Sequence, residues 1–133
     1  MNTTTQAFAA TSGRLLLATL FLVSGLGKLA APSATIAYIA ASGLPFPVLG
    51  YLGALAVEIG LALLLVIGYR TQWVALAMAG FTLLTALVFH HDFGDQNQMI
   101  HFLKNLAITG GLLQVVALGG GVLSVDSHRR LAA

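Results

Sequence analysis

The chain has 133 residues, of which 58% are hydrophobic and only 8% charged, and its mean hydropathy is +0.92. A soluble domain carries about 25% charged residues, so these proportions exclude a soluble fold and place the chain in a membrane, with length for one domain. Six Lys/Arg against four Asp/Glu give a net charge of +2 without a clustered basic face, which excludes nucleic-acid binding. The absence of cysteine excludes disulfides, thiolate metal sites, iron–sulfur ligation and CxxC redox chemistry within the chain.

Four apolar segments approach the ~20 residues that span ~30 Å of hydrocarbon, and their backbone groups must pair internally, so each is expected to be a helix. The first, Gly13–Ala30, has the Arg14-plus-apolar-run look of a signal peptide. Its long n-region holds one positive charge and Lys28 follows the apolar core, so an uncleaved helix is expected. Arg14, Ala18, Phe21, Gly25 and Lys28 share one stripe of it, with Ser24 beside Lys28. Arg14 reads as an anchor at the water boundary, and Lys28, near the other end, can snorkel to water.

The connection Ala31–Pro47 is long enough for a short helix opened by Pro32 and ended by Gly43, Pro45 and Pro47, lying along the interface; an ordered loop is the alternative. The second span, Val48–Ile67, sets Gly50, Ala54, Glu58 and Ala62 at a stride of four. Small residues let helices approach closely, so this face points inward and carries the sole intramembrane carboxylate. Glu58 lies ~15 Å deep at 1.5 Å per residue; a carboxylate there marks a functional or tightly paired site. A tight GYRT turn leads into the third span, Gln72–Phe89, as an antiparallel neighbour.

Between the third span and the fourth, Met99–Leu118, the stretch VFHHDFGDQNQMIHFLKN gathers three of the four histidines and two of the four acidic residues. His101, Lys104, Ala107 and Gly111 form a stripe expected to face inward. Lys104 lies ~7 Å inside the boundary by helix rise, which makes it the expected partner of Glu58, with Lys28 farther away. Arg14, Arg70, Arg129 and Arg130 fall on one side of the four spans, so the positive-inside rule puts both termini in the cytoplasm and Asp92 and Asp95 outside. Ser127–Arg130, SHRR, the only local basic cluster, reads as a cytoplasmic flank rather than a phosphate reader. The fold class is all-α: a transmembrane four-helix bundle with a short interfacial helix or loop between helices 1 and 2.

RLLLATLFLVSGLGKL, ASGLPFP, the VEIG around Glu58, GYRT and FHHDFGDQNQMIHFLKN, in that order and at those separations, resemble the DoxX family of small four-helix bacterial membrane proteins over nearly all of Gly13–Leu118. The resemblance implies a redox-associated inner-membrane protein at the quinone pool, without implying a particular reaction. Lys28, His90, His91, His101, Lys104 and Asn105 lie at the outer ends of helices 1, 3 and 4 with Glu58 beneath, so the polar stretch is expected to roof a pocket. Three functions fit that layout. One is a quinone or small-redox-molecule site, in which His and Lys donate to carbonyls and a Glu/His chain relays protons. The second is a non-enzymatic membrane subunit that anchors a soluble oxidoreductase partner. The third is permeation of protons or a small solute, which needs a homo-oligomer because four short helices enclose no wide pore. No metal set is expected, and haem fits least, since the histidines sit near the surface and no attachment motif exists.

Overall fold

The computed structural model describes residues 2–132. Four long helices run up and down: α1 (Thr3–Ala30), α3 (Pro47–Ile67), α4 (Thr71–Phe89) and α5 (Gln96–Leu118), each long and apolar enough to cross a membrane. Two short helices flank them, α2 (Pro32–Ala41) between the first two spans and α6 (Val125–Ala132) after the last. No strand is present among the described residues. The chain is thus an all-α bundle, and the connection after α1 is a helix rather than a loop.

Local chemistry explains where the helices begin and end. Asn2 caps α1 by accepting the Thr5 amide at 2.8 Å, which carries α1 well ahead of Gly13. Asp95 accepts the Gln98 amide at 3.0 Å, so α5 starts inside the polar stretch rather than at Met99. Proline opens both α2 and α3, where its missing N–H has no intrahelical partner to lose. Gly68 ends α3 in the left-handed conformation, φ 72°, a position where a side chain would also strike Arg14 and Ser124.

α3 is not a uniform α-helix: Ala56–Leu61 forms a wide π turn, closed i→i+5, with Glu58 inside it. A stride of four drifts around a helix of 3.6 residues per turn, and the wide turn takes up that drift. Ala54, Glu58 and Ala62 are accordingly all buried on one face.

Packing is uneven along the bundle. Ala18, Phe21, Ala62, Leu65, Val74, Ala75, Met78, Ala79 and Leu112 form the close-packed core, and all lie in the half nearer Arg14. Two buried hydroxyls in the spans are satisfied by their own helices: Thr82 donates to Met78 O and Thr109 to Asn105 O. The half nearer Lys28 is looser, and α2 packs over it through Ile39, whose side chain lies against Gly50 of α3.

The inward stripe of α1 is as the spacing predicts: Arg14, Ala18, Phe21 and Gly25 are buried. The stripe expected on the last span is displaced by one residue. His101, Lys104 and Ala107 are exposed, and α5 instead turns Asn105, Thr109 and Leu112 inward. One position is about 100° on a helix, and on a chain apolar on nearly every side, alanine and glycine alone did not identify the packed face.

Arg14 also departs from its expected role as a water-boundary anchor. It is 3% exposed, and its guanidinium donates to the carbonyl oxygens of Gly120 at 2.6 Å and Leu123 at 2.8 Å. The segment after α5 folds back over the end of the bundle and covers it. Nor is the SHRR segment a free flank. It belongs to α6, held because Asp126 caps the start of α4: Oδ1 accepts the Arg70 amide at 2.7 Å, and Oδ2 accepts the Thr71 amide and hydroxyl, each at 2.7 Å. Burial alone would raise the Asp126 carboxyl, but these hydrogen bonds from Thr71 and Arg70 hold it below its ordinary value.

Candidate functional site

Glu58 pairs with Lys28, not with Lys104. Lys28 Nζ lies 2.9 Å from Glu58 Oε2, donates to Oε1 at 3.0 Å, and donates a second hydrogen bond to Ser24 Oγ at 2.9 Å. Oε2 is as close as Oε1 but off the hydrogen-bonding directions, so Oε1 takes the directed bond and Oε2 the Coulombic contact alone. The carboxylate is 8% exposed and the ammonium side chain 28%. Two of the three ammonium donors are used, which leaves one.

Three features bring the pair together. Gly25 lies directly against the π turn: a Cβ there would sit 2.7 Å from Ile59 Cγ1 and 3.1 Å from Glu58 Cβ. Only glycine lets the two helices come this close without displacement. Lys28 is three residues beyond Gly25, about one turn or ~4.5 Å above Glu58. Tyr51 then donates to Lys28 O at 3.2 Å, joining the Ala31 amide on that carbonyl and tying the end of α1 to α3. α1 therefore stops beside Tyr51, about a turn short of the start of α3 at Pro47. Measuring depth from helix ends taken as level put Lys28 too high and made Lys104 look nearer.

Above the pair lies a cavity of about 360 Å³. Glu58, Lys28 and Ser24 supply its polar floor, and Phe81, Leu84 and Val88 of α4 an apolar wall. Tyr38 and Ile39 of α2 close it from the side, with Tyr38 stacked on Phe89 at 5.4 Å between ring centroids. His90 and Asn105 stand at its rim. Tyr38 and Leu84 line the cavity and are also exposed on the flank of the bundle, so side chains that a bilayer would touch form part of its wall.

His90 is held in place. Its Nδ1 lies 3.1 Å from the Gln98 side-chain amide, at Oε1. The ring stacks on His101 at 5.0 Å.

Of the residues singled out in the sequence, Lys28, Glu58, His90 and Asn105 line this cavity. His91 and Lys104 are exposed away from it, and His101 reaches it only by stacking on His90. Thr85 and Phe89 also line the cavity, and Tyr51 braces its floor. Their signal was faint, because hydroxyls and aromatics within apolar spans read as ordinary helix surface. No group of three or more potential metal-ligating side chains occurs among the described residues.

The DoxX family model matches residues 9–91, which takes in most of α1, all of α2 to α4 and both members of the ion pair. The chain is 38% identical over 115 residues to the inner membrane protein YqjF of Escherichia coli (strain K12), covering 85% of each. It is 33% identical over 118 residues to the inner membrane protein YphA of the same organism, covering 85% of this chain and 84% of that one. No solved structure matches significantly.

Proposed function

The chain belongs to the DoxX family and is a multi-pass inner-membrane protein, and we propose that it binds a quinone, or a small redox molecule of similar build, in the cavity above Lys28 and Glu58. The observation that carries this reading is an ion pair at the floor of a mainly apolar cavity whose wall includes side chains exposed on the flank of the bundle. A binding cavity is commonly 300–1,000 Å³, mostly apolar, with a few convergent polar groups, and about 360 Å³ fits a compact head group.

The residues suit a quinone chemically. A quinone ring is flat and apolar with two carbonyl acceptors, and an isoprenoid tail that belongs in lipid. Lys28 keeps one donor for a carbonyl oxygen. At the rim, the Asn105 amide can donate to a carbonyl, and the His90 imidazole can exchange a hydrogen bond with the carbonyl or the hydroxyl of the reduced form. Phe81, Leu84 and Val88 face the ring, and the tail leaves between α2 and α4. Bound there, a quinone supplies two-electron, two-proton redox chemistry, and the chain acts as a redox-associated subunit that positions it.

In this reading both termini are cytoplasmic, because Arg14, Arg70, Arg129 and Arg130 share one end of the bundle. The cavity then faces the outer leaflet. Binding of a quinone analogue to protein in nanodiscs tests the assignment. Losing a hydrogen bond to a charged group costs about 1.5–3 kcal/mol, tenfold or more in affinity. Lys28→Met is expected to weaken binding at least tenfold, while Arg70→Gln, at the opposite end, leaves it unchanged. Equal affinity in wild type and folded Lys28→Met would overturn the cavity and favour an anchor for a soluble oxidoreductase partner.

A further inference from the structure

The opposite end of the bundle carries a second cleft, of about 300 Å³, where α6 folds back onto the start of α4. Arg70, Gln72, Trp73, Asp126, Arg129 and Arg130 line it. Three guanidiniums thus face one cleft in a chain with six basic residues in all. Asp126 keeps its negative charge while its oxygens accept from the Arg70 and Thr71 amides and the Thr71 hydroxyl at 2.7 Å, so the cleft sets three cations against one anion and stays net positive. Among the described residues, no acidic side chain forms a salt bridge with Arg70, Arg129 or Arg130.

The cleft is built rather than accidental. The Asp126 cap fixes α6 against α4, and Arg129 lies over the Tyr69 ring with its guanidinium carbon 5.5 Å from the centroid. These two contacts bring arginines nearly sixty positions apart in the chain to one place. Trp73, in the first turn of α4, is 72% exposed. An exposed tryptophan at the end of a membrane span sits at head-group level, so the arginines beside it face the phosphate layer and not bulk water.

We propose that this cleft binds the phosphodiester head group of an anionic phospholipid, with Arg70, Arg129 and Arg130 on the phosphate and Trp73 against the glycerol and upper acyl region. Planar guanidiniums suit phosphate oxygens through paired N–H donors. Basic pockets beside membrane helices recognise anionic lipids in this way. A free phosphate shares the chemistry, but the neighbouring Trp73 and the position at a span end favour the lipid.

Trp73 is the only tryptophan and lines the cleft, so its fluorescence reports occupancy directly. The full chain is reconstituted in phosphatidylcholine bilayers containing acyl-brominated phosphatidylglycerol or, separately, acyl-brominated phosphatidylcholine, and quenching is compared. The expected result is a preference for phosphatidylglycerol on the order of fivefold for each arginine that reaches the phosphate, declining as salt is raised. Arg129→Gln with Arg130→Gln should bring the preference close to one. Asp126→Ala removes a negative charge from the cleft, yet it is expected to weaken the preference because α6 is no longer held. Equal quenching by the two lipids in wild-type protein, or a preference indifferent to salt, overturns the proposal. Tighter binding in Asp126→Ala would reduce the cleft to bulk charge and overturn the built site. Loss of the lipid preference on adding inorganic phosphate at constant ionic strength would assign the cleft to a soluble anion instead.

Discussion

Glu58 has a single cation in contact, and the contact depends on Gly25. An ionised carboxylate in a membrane is costly unless paired, and removing one member of a buried pair leaves the other uncompensated, at roughly 3–5 kcal/mol in soluble proteins. Because Lys28 keeps 28% of its side-chain exposure, its loss should fall at the lower end of that range. Lys28→Met combined with Glu58→Gln is expected to be milder than either single change in a thermal-unfolding cycle. Lys104→Met, on an exposed position, should change stability by less than about 0.5 kcal/mol. Additive losses for Lys28 and Glu58, or coupling of Glu58 to Lys104, would contradict the pairing. The carboxylate itself was legible in the sequence, since a lone Glu among Gly and Ala at a stride of four can only face inward. Its partner was not, because choosing between Lys28 and Lys104 requires the relative height of two helices, and that height is set by Gly25 and Tyr51 acting across α1 and α3.

At the scale of elements, α6 is held by its N-terminal acid more than by apolar packing. Asp126 satisfies three donors at the start of α4, and Asp126→Ala leaves the amides of Arg70 and Thr71 without that partner. A loss of roughly 1–3 kcal/mol is expected in thermal unfolding. The pH dependence has a definite sign. A carboxyl whose folded pKa lies below its unfolded value stabilises the fold above the unfolded value, and loses that contribution as pH falls through the folded one. The Asp126 carboxyl is held below 3.8, so wild type should exceed Asp126→Asn in stability at pH 6, and the margin should start to shrink below about pH 4 and be lost as pH falls through the lower folded value. A margin that stays constant as pH falls steadily below about 4 would show that ionised Asp126 is not its source. The four spans were legible from hydropathy, and α2 from Pro32 and Gly43. Arg14 and α6 misled a reading by composition. Charges near a span end usually mark the water boundary, whereas this one is sealed beneath carbonyls of a loop that lies more than a hundred positions away in the chain.

Across the whole molecule, packing and opening are segregated. The half near Arg14 holds the close-packed core and the returning α6, and the half near Lys28 holds the cavity under α2. Such a division suits the proposed function, in which one end fixes the bundle while the other takes up a ligand. Orientation follows from the arginines. With both termini cytoplasmic, a cysteine at Asn97 should react with an impermeant reagent added from the periplasm, and one at Leu131, 86% exposed, should not. Labelling of the Leu131 position from the periplasm would invert the assignment and place the cavity in the inner leaflet.

The claim that ties these scales together is that the cavity holds a quinone, and its most direct test is the quinone content of purified protein. Wild-type chain and Lys28→Met, each shown to be folded by its thermal transition, are purified from the same membranes and extracted into organic solvent, and quinone per chain is measured. The account predicts close to one quinone per wild-type chain and a loss of at least tenfold in Lys28→Met. Quinone absent from wild type, or present at the same level in both, would contradict it.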